Sequence, residues 1–303
     1  MSAGRGFGFP LEVVQLLISG ISQGCVYGLI ALGFVLIYKA TEMVNFAQGD
    51  LMMLGAFIAL TFVDILGWSF FPSVLATLVA MAAIGVLLER LFLRPMIGEP
   101  HFAVLMLTIG LGFVLRALAG AIWGSESRAL DAPYVGGVWR LGFADAWVII
   151  PHESAAIVLG TLTLCLVLFA FFRFARLGIA MQAASQNQLA AYYVGIPVKR
   201  IYSLVWALSA AIAGVAGILM APTKLVDPLV GFIGIKAFAA AIVGGFGSLP
   251  GAVLGGLLVG VAEQFAGRYL PSGFSDVMAY VLLLAMLIVR PEGLFATMQR
   301  KKV

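Results

Sequence analysis

The chain has 303 residues, of which 62% are hydrophobic and 11% are charged, and its mean hydropathy is +1.09. Soluble domains carry about one quarter charged residues, so this composition excludes a soluble fold and requires lipid around most of the surface. In such a chain the formal net charge of +4 indicates basic cytoplasmic loops and not a nucleic-acid-binding face.

Long apolar runs predict an all-α polytopic membrane protein that forms one transmembrane domain over residues 1–303. A hydrocarbon core of about 30 Å needs roughly 20 apolar residues per helix. We therefore expect about eight full transmembrane helices, and a further apolar piece at 232–245 that is too short to cross comfortably on its own. The predicted full spans are 11–38, 50–66, 71–89, 102–123, 154–172, 201–221, 249–266 and 274–290.

The first polar break lies at "TEMVNFAQGDLMMLGA", Thr41 to Ala56, where the chain turns between two apolar spans. Amide side chains in a membrane can bond across helices, so we expect Asn45 and Gln48 to do so. Asp50 is expected to cap the helix that follows, at its positive N-terminal end. Direct contact of these side chains with a transported substrate is the alternative.

Lysine and arginine define the orientation, because cytoplasmic loops carry the excess of them. With these spans, eleven basic residues lie on one side and six on the other, with Arg116 inside a span. We therefore expect the N-terminus outside and the C-terminus in the cytoplasm. The side taken as cytoplasmic carries Lys39, Arg90, Arg94, Arg173, Arg176, Lys199, Arg200, Arg290, Arg300, Lys301 and Lys302; the other carries Arg5, Arg128, Arg140, Lys224, Lys236 and Arg268.

The segment 124–153 is the longest loop on the external side. Tryptophan near membrane ends usually anchors a chain at the interface, which accounts for the three tryptophans in and beside this loop. Its charged residues are expected to dock an external binding protein. The tryptophans are Trp123, Trp139 and Trp147, and the charged residues are Glu126, Arg128, Asp131, Arg140 and Asp145.

The cytoplasmic segment 178–199 predicts a short amphipathic helix, rich in alanine and stopped by Gly195 and Pro197. Its small residues suit insertion into a groove on another protein. The alternative, a helix lying on the bilayer surface, is expected to have a more basic polar face.

The run "GGFGSLPGAVLGG", Gly244 to Gly256, follows the short apolar piece. A phosphate-binding loop of the P-loop type needs a lysine after its glycines, and none follows here. The loop 173–200 and the tail 290–303 are predicted on the same side, so an even number of crossings must separate them, but only three full spans lie between. The short piece 232–245 is therefore expected to supply the fourth crossing, as a half-helix that ends at the glycine run, where the chain turns back. Paired interruptions indicate a transporter with two related halves and place Gly244, Gly245 and Gly247 at the translocation path, whereas close helix packing is the other explanation.

Three segments carry a family resemblance: "YGLIALGFVLIYKATEMVNFAQGDLMMLGAF", "RLGIAMQAASQNQLAAYYVGIPVKRIYSLVWALSAAIAGVAGIL" and "AFAAAIVGGFGSLPGAVLGGLLVGVAEQF". Nearly the whole chain resembles the LivH-type permeases, the membrane subunits of branched-chain amino-acid ABC importers. The resemblance implies a bacterial inner-membrane location, a second LivM-like permease subunit, two cytoplasmic ATPases and a periplasmic substrate-binding protein. It also implies that 178–199 is the coupling helix that docks on the ATPase, through Gln186, Asn187, Ala190, Ala191 and Gly195.

No sequence motif for chemistry is found. The chain has no Walker A motif, no His/Cys/carboxylate cluster and no nucleophile elbow, so we expect a non-enzymatic subunit without cofactor or metal. A permease of the same family for urea, amides or aromatic acids is one alternative. An ion-driven carrier is another and would use intramembrane carboxylates such as Asp50, Glu89 or Glu263. A channel would need repeated filter-like sequences, which are not seen.

Overall fold

The computed structural model describes residues 8–143 and 146–295, and within them the chain is a bundle of α-helices with one small β-hairpin. The predicted sites at Arg5, Asp145, Arg300, Lys301 and Lys302 lie outside the described residues. The helices are α1 (Gly8–Thr41), α2 (Gln48–Leu60), α3 (Phe70–Leu88), α4 (His101–Trp123), α5 (His152–Phe174), α6 (Arg176–Gln186), α7 (Gln188–Tyr193), α8 (Val198–Met220), α9 (Ile233–Gly244), α10 (Leu249–Tyr269) and α11 (Phe274–Val289). The strands are β1 (Val138–Phe143) and β2 (Ala146–Pro151).

The predicted membrane spans are confirmed. Among the described residues, seven helical stretches are long and apolar enough to cross a bilayer. The eighth predicted span, α11, is a helix of 16 residues, and the short apolar piece forms the 3-10 turn Pro228–Phe232 followed by α9. The count of eight is therefore approximate, and the half-helix lies where crossing parity predicts it.

Helix α1 lies at the centre of the bundle. In the most apolar 18-residue stretch of α1, 89% is buried by protein. In the corresponding stretch of α5, at the periphery, only 22% is buried. Helix α10 packs along α1 at backbone contact: a methyl group on Gly24 would lie 2.7 Å from the Cα atom of Leu257. The Gly256 and Gly260 pair of α10 also meets the backbone of α1. Small residues are what allow such close approach in lipid, where apolar burial alone does not drive helix association.

The segment predicted as a plain external loop contains a structured element. Strands β1 and β2 form an antiparallel hairpin, with Val138 opposite Pro151. The side chain of Gln15 on α1 donates to the carbonyl of Ile149 at 2.8 Å and accepts from its amide at 3.2 Å. Trp139 and Trp147 are exposed on the hairpin, as interface anchors are. Trp123 differs, because it stacks on Phe57 and donates to the Thr61 hydroxyl at 2.8 Å.

Contacts between distant segments group the loops at two ends of the bundle. At one end the hairpin contacts α1, Arg268 pairs with Glu12, and Arg128 bridges to Val226. At the other end Arg94 contacts Ser203 at 2.8 Å. Gln188 bonds the carbonyl of Ala40, and Leu294 bonds that of Val243 at this same end. The loop 124–153 and the glycine turn 245–248 therefore lie at opposite ends. Which end faces the cytoplasm stays a prediction.

Candidate functional site

The first interruption is an ordered turn held by two amides. The Asn45 side chain accepts from the Ala47 amide at 3.1 Å and donates to Gln48 at 3.3 Å, inside the same turn. Gln48 reaches further: it donates to the Ser209 carbonyl at 3.2 Å and accepts from the Ser209 hydroxyl at 3.0 Å. Both amides are fully buried. Gln48 thus makes the predicted inter-helix bond to α8, whereas Asn45 shapes the break itself.

Asp50 does not cap α2, contrary to the sequence prediction. The N-cap residue is Ala47, without a side-chain cap, and Asp50 is the third residue of the helix, in its first turn. Its carboxylate accepts from Arg116 of α4 at 2.5 Å (Nε to Oδ1) and 3.2 Å (Nη2 to Oδ2). The Arg116 guanidinium also lies 3.8 Å from the ring centre of Phe232, in the turn before α9. A partner 66 residues away therefore determines what Asp50 does, because a charge at this depth needs an opposite charge beside it.

The second interruption ends one helix and starts another. Helix α9 stops at Gly244, and Gly245 has φ +106°, which only glycine adopts without strain. The Ser248 hydroxyl then accepts from the Gly251 amide at 3.1 Å and so caps α10. Gly247 lies in the intervening turn and is half-buried.

Two further sets of backbone contacts surround this second turn. The amides of Leu294 and Phe295 donate to the carbonyls of Val243 and Gly244 at 3.0 and 3.1 Å. These bonds satisfy carbonyls that the end of a helix would leave without partners. Gly244 itself packs against the backbone of Gly251. The glycine run therefore serves close packing, one of the two explanations that the sequence left open; its part in translocation stays a prediction.

An aromatic cluster joins the two interruptions, and sequence reasoning missed it. Phe46 of the first turn lies 4.9 Å from Phe238 of α9, measured between ring centres. Phe238 lies 5.6 Å from Phe246 of the second turn, which lies 4.8 Å from Tyr38 of α1. All four rings are half-buried. The available signal was an aromatic residue inside each polar or glycine-rich break.

Three buried carboxylates each have a cationic partner. Besides the Asp50 pair, Glu89 accepts from Arg94 at 3.0 Å and from the Ser203 hydroxyl at 2.7 Å. Glu263 accepts from Lys236 at 2.5 Å. These are the carboxylates that an ion-driven carrier would have to free for proton or sodium binding, and here each is neutralised by a side chain of the same chain.

The segment predicted to couple to an ATPase is two helices and not one. The backbone breaks at Asn187, whose side chain caps α7 by accepting from the Ala190 amide at 2.9 Å. Gln186, Asn187 and Ala190 are exposed, but Ala191 is buried, so its side chain packs inward and not toward a partner. Gly195 ends the segment with φ +85°. The exposed apolar end is formed by Tyr192, Tyr193 and Val194.

A family profile described as the permease component of branched-chain amino acid transport systems matches residues 16–289. The chain is 32% identical to the LivH permease protein of the high-affinity branched-chain amino acid transport system of Escherichia coli K12, over 97% of this chain and 98% of that one. It is 33% identical to the BraD permease protein of Pseudomonas aeruginosa over 96% and 98% of the two chains. A shorter match, 33% over 44% of this chain and 32% of the other, is to the LivM permease protein of Escherichia coli K12.

Proposed function

Because the chain belongs to the family of branched-chain amino acid transport permeases, we propose that it is the membrane subunit through which an ABC importer moves branched-chain amino acids. The family match over residues 16–289 carries this proposal. The chain is a multi-pass membrane protein of the inner membrane and a non-enzymatic subunit of a transport system. ATP hydrolysis then belongs to partner chains, since the sequence has no Walker A motif.

The assembly that we propose has four kinds of subunit. A second permease of the LivM type pairs with this chain, in keeping with the partial match to LivM. Two ATPases bind the end that carries α6 and α7, and a substrate-binding protein docks at the loop 124–153. The N-terminus is then outside and the C-terminus in the cytoplasm, which agrees with the excess of basic residues on the α6–α7 side.

The segment 178–199 is proposed as the contact with the ATPase. Its apolar end, Tyr192 to Val194, is exposed and offers an anchor for a groove on another protein. Ala190 lies on the exposed side of α7. Gln186 and Asn187 flank the backbone break, where their position depends on the cap that Asn187 makes.

The test is an Ala190→Trp variant, followed by amino-acid uptake and by the amount of ATPase that co-purifies. Overpacking a fitted contact costs about 1–3 kcal/mol, so we expect a loss of ATPase association of about tenfold or more. Ala121→Trp, an equal change on the exposed face of α4, is the matched control and should leave both readouts unchanged. Gly195→Trp is a poor probe because its positive φ strains any side chain. Wild-type uptake and ATPase yield in Ala190→Trp would contradict the docking role.

We also propose that the two interruptions border the translocation route. Broken helices in transporters cluster at substrate paths, and the half-buried aromatic cluster that joins both breaks supports the same position. In this proposal Asn45, Gln48, Asp50 and Gly244 hold the breaks in shape, since their contacts are internal. Gly245 and Gly247 form the turn itself.

Gly247→Leu tests the route. A leucine in this half-buried turn should lower uptake at least tenfold while the amount of assembled complex stays normal. Gly245→Leu does not separate transport from folding, because φ is +106° there and a side chain would lie 2.9 Å from the Phe295 carbonyl oxygen. Full uptake by Gly247→Leu would remove the turn from the route.

An ion-driven carrier is the competing function. Its candidate carboxylates are each paired with Arg116, Arg94 or Lys236, which argues against a free intramembrane site for a proton or sodium ion. Uptake into energised cells decides between the two: an importer stops when ATP is depleted, whereas a carrier stops when an uncoupler collapses the ion gradient at constant ATP.

A further inference from the structure

A polar cleft enters the bundle at the end that carries the loop 124–153. Its volume is about 480 Å³, and its walls come from α1, α9, α10, α11 and the loop between α8 and Pro228. On α1 the lining runs from Leu16 to Tyr27. At 1.5 Å per residue this is about 16 Å of helix, roughly half the thickness of a hydrocarbon core. Polar groups thus line the cleft from the end of the bundle to its middle.

The floor of the cleft is a closed charged network. Tyr27 donates its hydroxyl to Glu263 Oε2 at 2.5 Å, and Lys236 donates to Glu263 Oε1 at 2.5 Å. Lys236 donates to Asp276 Oδ1 as well, at 3.1 Å. Both oxygens of the buried Glu263 are therefore engaged, and its charge is neutralised.

Two charges of opposite sign remain open to the cleft. The Asp276 side chain is 79% exposed, and its second oxygen accepts no bond from the residues that the structure describes. Lys224 lines the same cleft and is exposed, and its side-chain ammonium has neither an ion pair nor a hydrogen bond with any described residue. Convergent polar groups in a concave site are what ligand-binding pockets show.

We propose that this cleft binds the zwitterionic head group of an α-amino acid, with the carboxylate on the Lys224 ammonium and the amino group on the Asp276 carboxylate. The inference rests on the proposed transport function and names residues that recognise the substrate on its way in. A ligand with one charge would leave either the Lys224 ammonium without an opposite charge or the free oxygen of Asp276 without a donor, so the two groups together favour a molecule with both charges.

The first experiment measures ligand binding without the binding protein. The complex purified through a tag on this chain is placed in nanodiscs and probed by saturation-transfer NMR with three ligands: leucine, 3-methylbutylamine and 4-methylpentanoate. The last two lack the carboxylate and the amino group, respectively. An interaction with a charged partner contributes enough for the loss of one to weaken binding about tenfold.

Each variant should remove one ligand preference, for leucine over the amine or for leucine over the acid. Lys224→Met should weaken leucine about tenfold, to the level of 3-methylbutylamine, and leave that amine unchanged. Asp276→Asn should weaken leucine to the level of 4-methylpentanoate and leave that acid unchanged. Lys224→Arg should restore leucine binding. Arg140→Met, which removes an exposed positive charge from the hairpin at the same end, is the matched control and should change nothing.

The pH dependence gives an independent readout. Desolvation by the surrounding protein lowers the pKa of Lys224 from its usual value, and Glu263 and Asp276 oppose this in part. The ammonium is therefore lost at a lower pH than that of a free lysine, and the affinity for 4-methylpentanoate, which has no amino group of its own to titrate, should fall as pH rises through this pKa. Lys224→Arg, which stays charged, should not show the fall. The other titratable groups that line the cleft are Tyr27, Lys236 and Arg268.

The outcomes separate this site from the function on which it rests. If the wild-type complex takes up leucine but Lys224→Met weakens all three ligands equally, or none, the head-group site is wrong and the transport function stands. If the complex takes up no branched-chain amino acid, but leucine binds and each variant loses the expected ligand preference, the function is wrong and the site stands. A leucine signal that appears only with the binding protein present overturns the site.

Discussion

The Asp50–Arg116 pair offers a quantitative test of how the first interruption is held. Two hydrogen bonds of 2.5 and 3.2 Å join the side chains, and Asp50 is 1% exposed. The backbones of Gly112 and Gly231 lie against the carboxylate, where a side chain at either position would clash with it, so the site around Asp50 is closely packed. Arg116→Met therefore leaves a buried charge without its partner.

Breaking a buried pair in this way costs about 3–5 kcal/mol in the free energy of unfolding, because the remaining charge stays desolvated. Removing both charges, in Asp50→Asn with Arg116→Met, should cost less than the sum of the single changes, with an interaction energy of about 1–3 kcal/mol. Equilibrium unfolding in mixed micelles by SDS titration, followed by far-ultraviolet circular dichroism, measures each value. Arg140→Met, at an exposed position, should change the free energy by less than about 0.5 kcal/mol.

Either of two results would contradict a stabilising Asp50–Arg116 pair. One is an Arg116→Met variant as stable as the wild type, which would mean that Asp50 is neutral or solvated in the folded protein. The other is strict additivity of the two changes, which would mean that the side chains do not stabilise each other. A double variant that recovers stability without recovering uptake would assign the pair to transport as well as to folding.

Three further predictions follow from the fold. Ser127→Cys and Ala183→Cys should be labelled by an impermeant maleimide from the outside and from the cytoplasm, respectively; labelling of both from one side would contradict the topology. Gly24→Leu should lower the thermal unfolding temperature strongly, since a side chain there meets the backbone of α10, whereas Gly110→Leu, with open space around it, should not. Trp123→Phe should cost about 0.5–1.5 kcal/mol in the same SDS titration through the lost bond to Thr61; no loss would make it an interface anchor only.

The sequence contained enough information to predict the spans and the half-helix. Both follow from the lengths of the apolar runs and from the even number of crossings that must separate basic loops on the same side. These are properties of contiguous residues. Membrane helices satisfy their own backbone groups, so an apolar run reads directly as a helix. The short piece 232–245 was predicted within a few residues of the 3-10 turn and α9 for this reason.

The errors in the site arose where distant residues decide the outcome. Asp50 at a helix start looks like a cap, and only the fold brings Arg116 beside it. The alanine-rich segment 178–199 predicts one helix, but the Asn187 side chain competes with the backbone and starts a second one. The hairpin at 138–151 was read only as a loop, although its strands pair locally; what lies more than 120 residues away is Gln15 on α1, which holds it against the bundle. Patterns among neighbouring residues do not reveal contacts with residues that are distant in the sequence.

The glycine contact between α1 and α10 also constrains the order of biosynthesis. Helix α1 leaves the ribosome long before α10, because Gly256, which packs on its Gly24 and Gly28, follows more than 220 residues later. At about 5–20 residues per second, the small-residue surface of α1 waits on the order of ten seconds or longer for its partner. During that interval lipid or the insertion machinery must cover it. The central helix of the bundle is thus inserted well before α10 but fully packed only after it, so chains truncated before α10 should be cleared by membrane proteases and not accumulate.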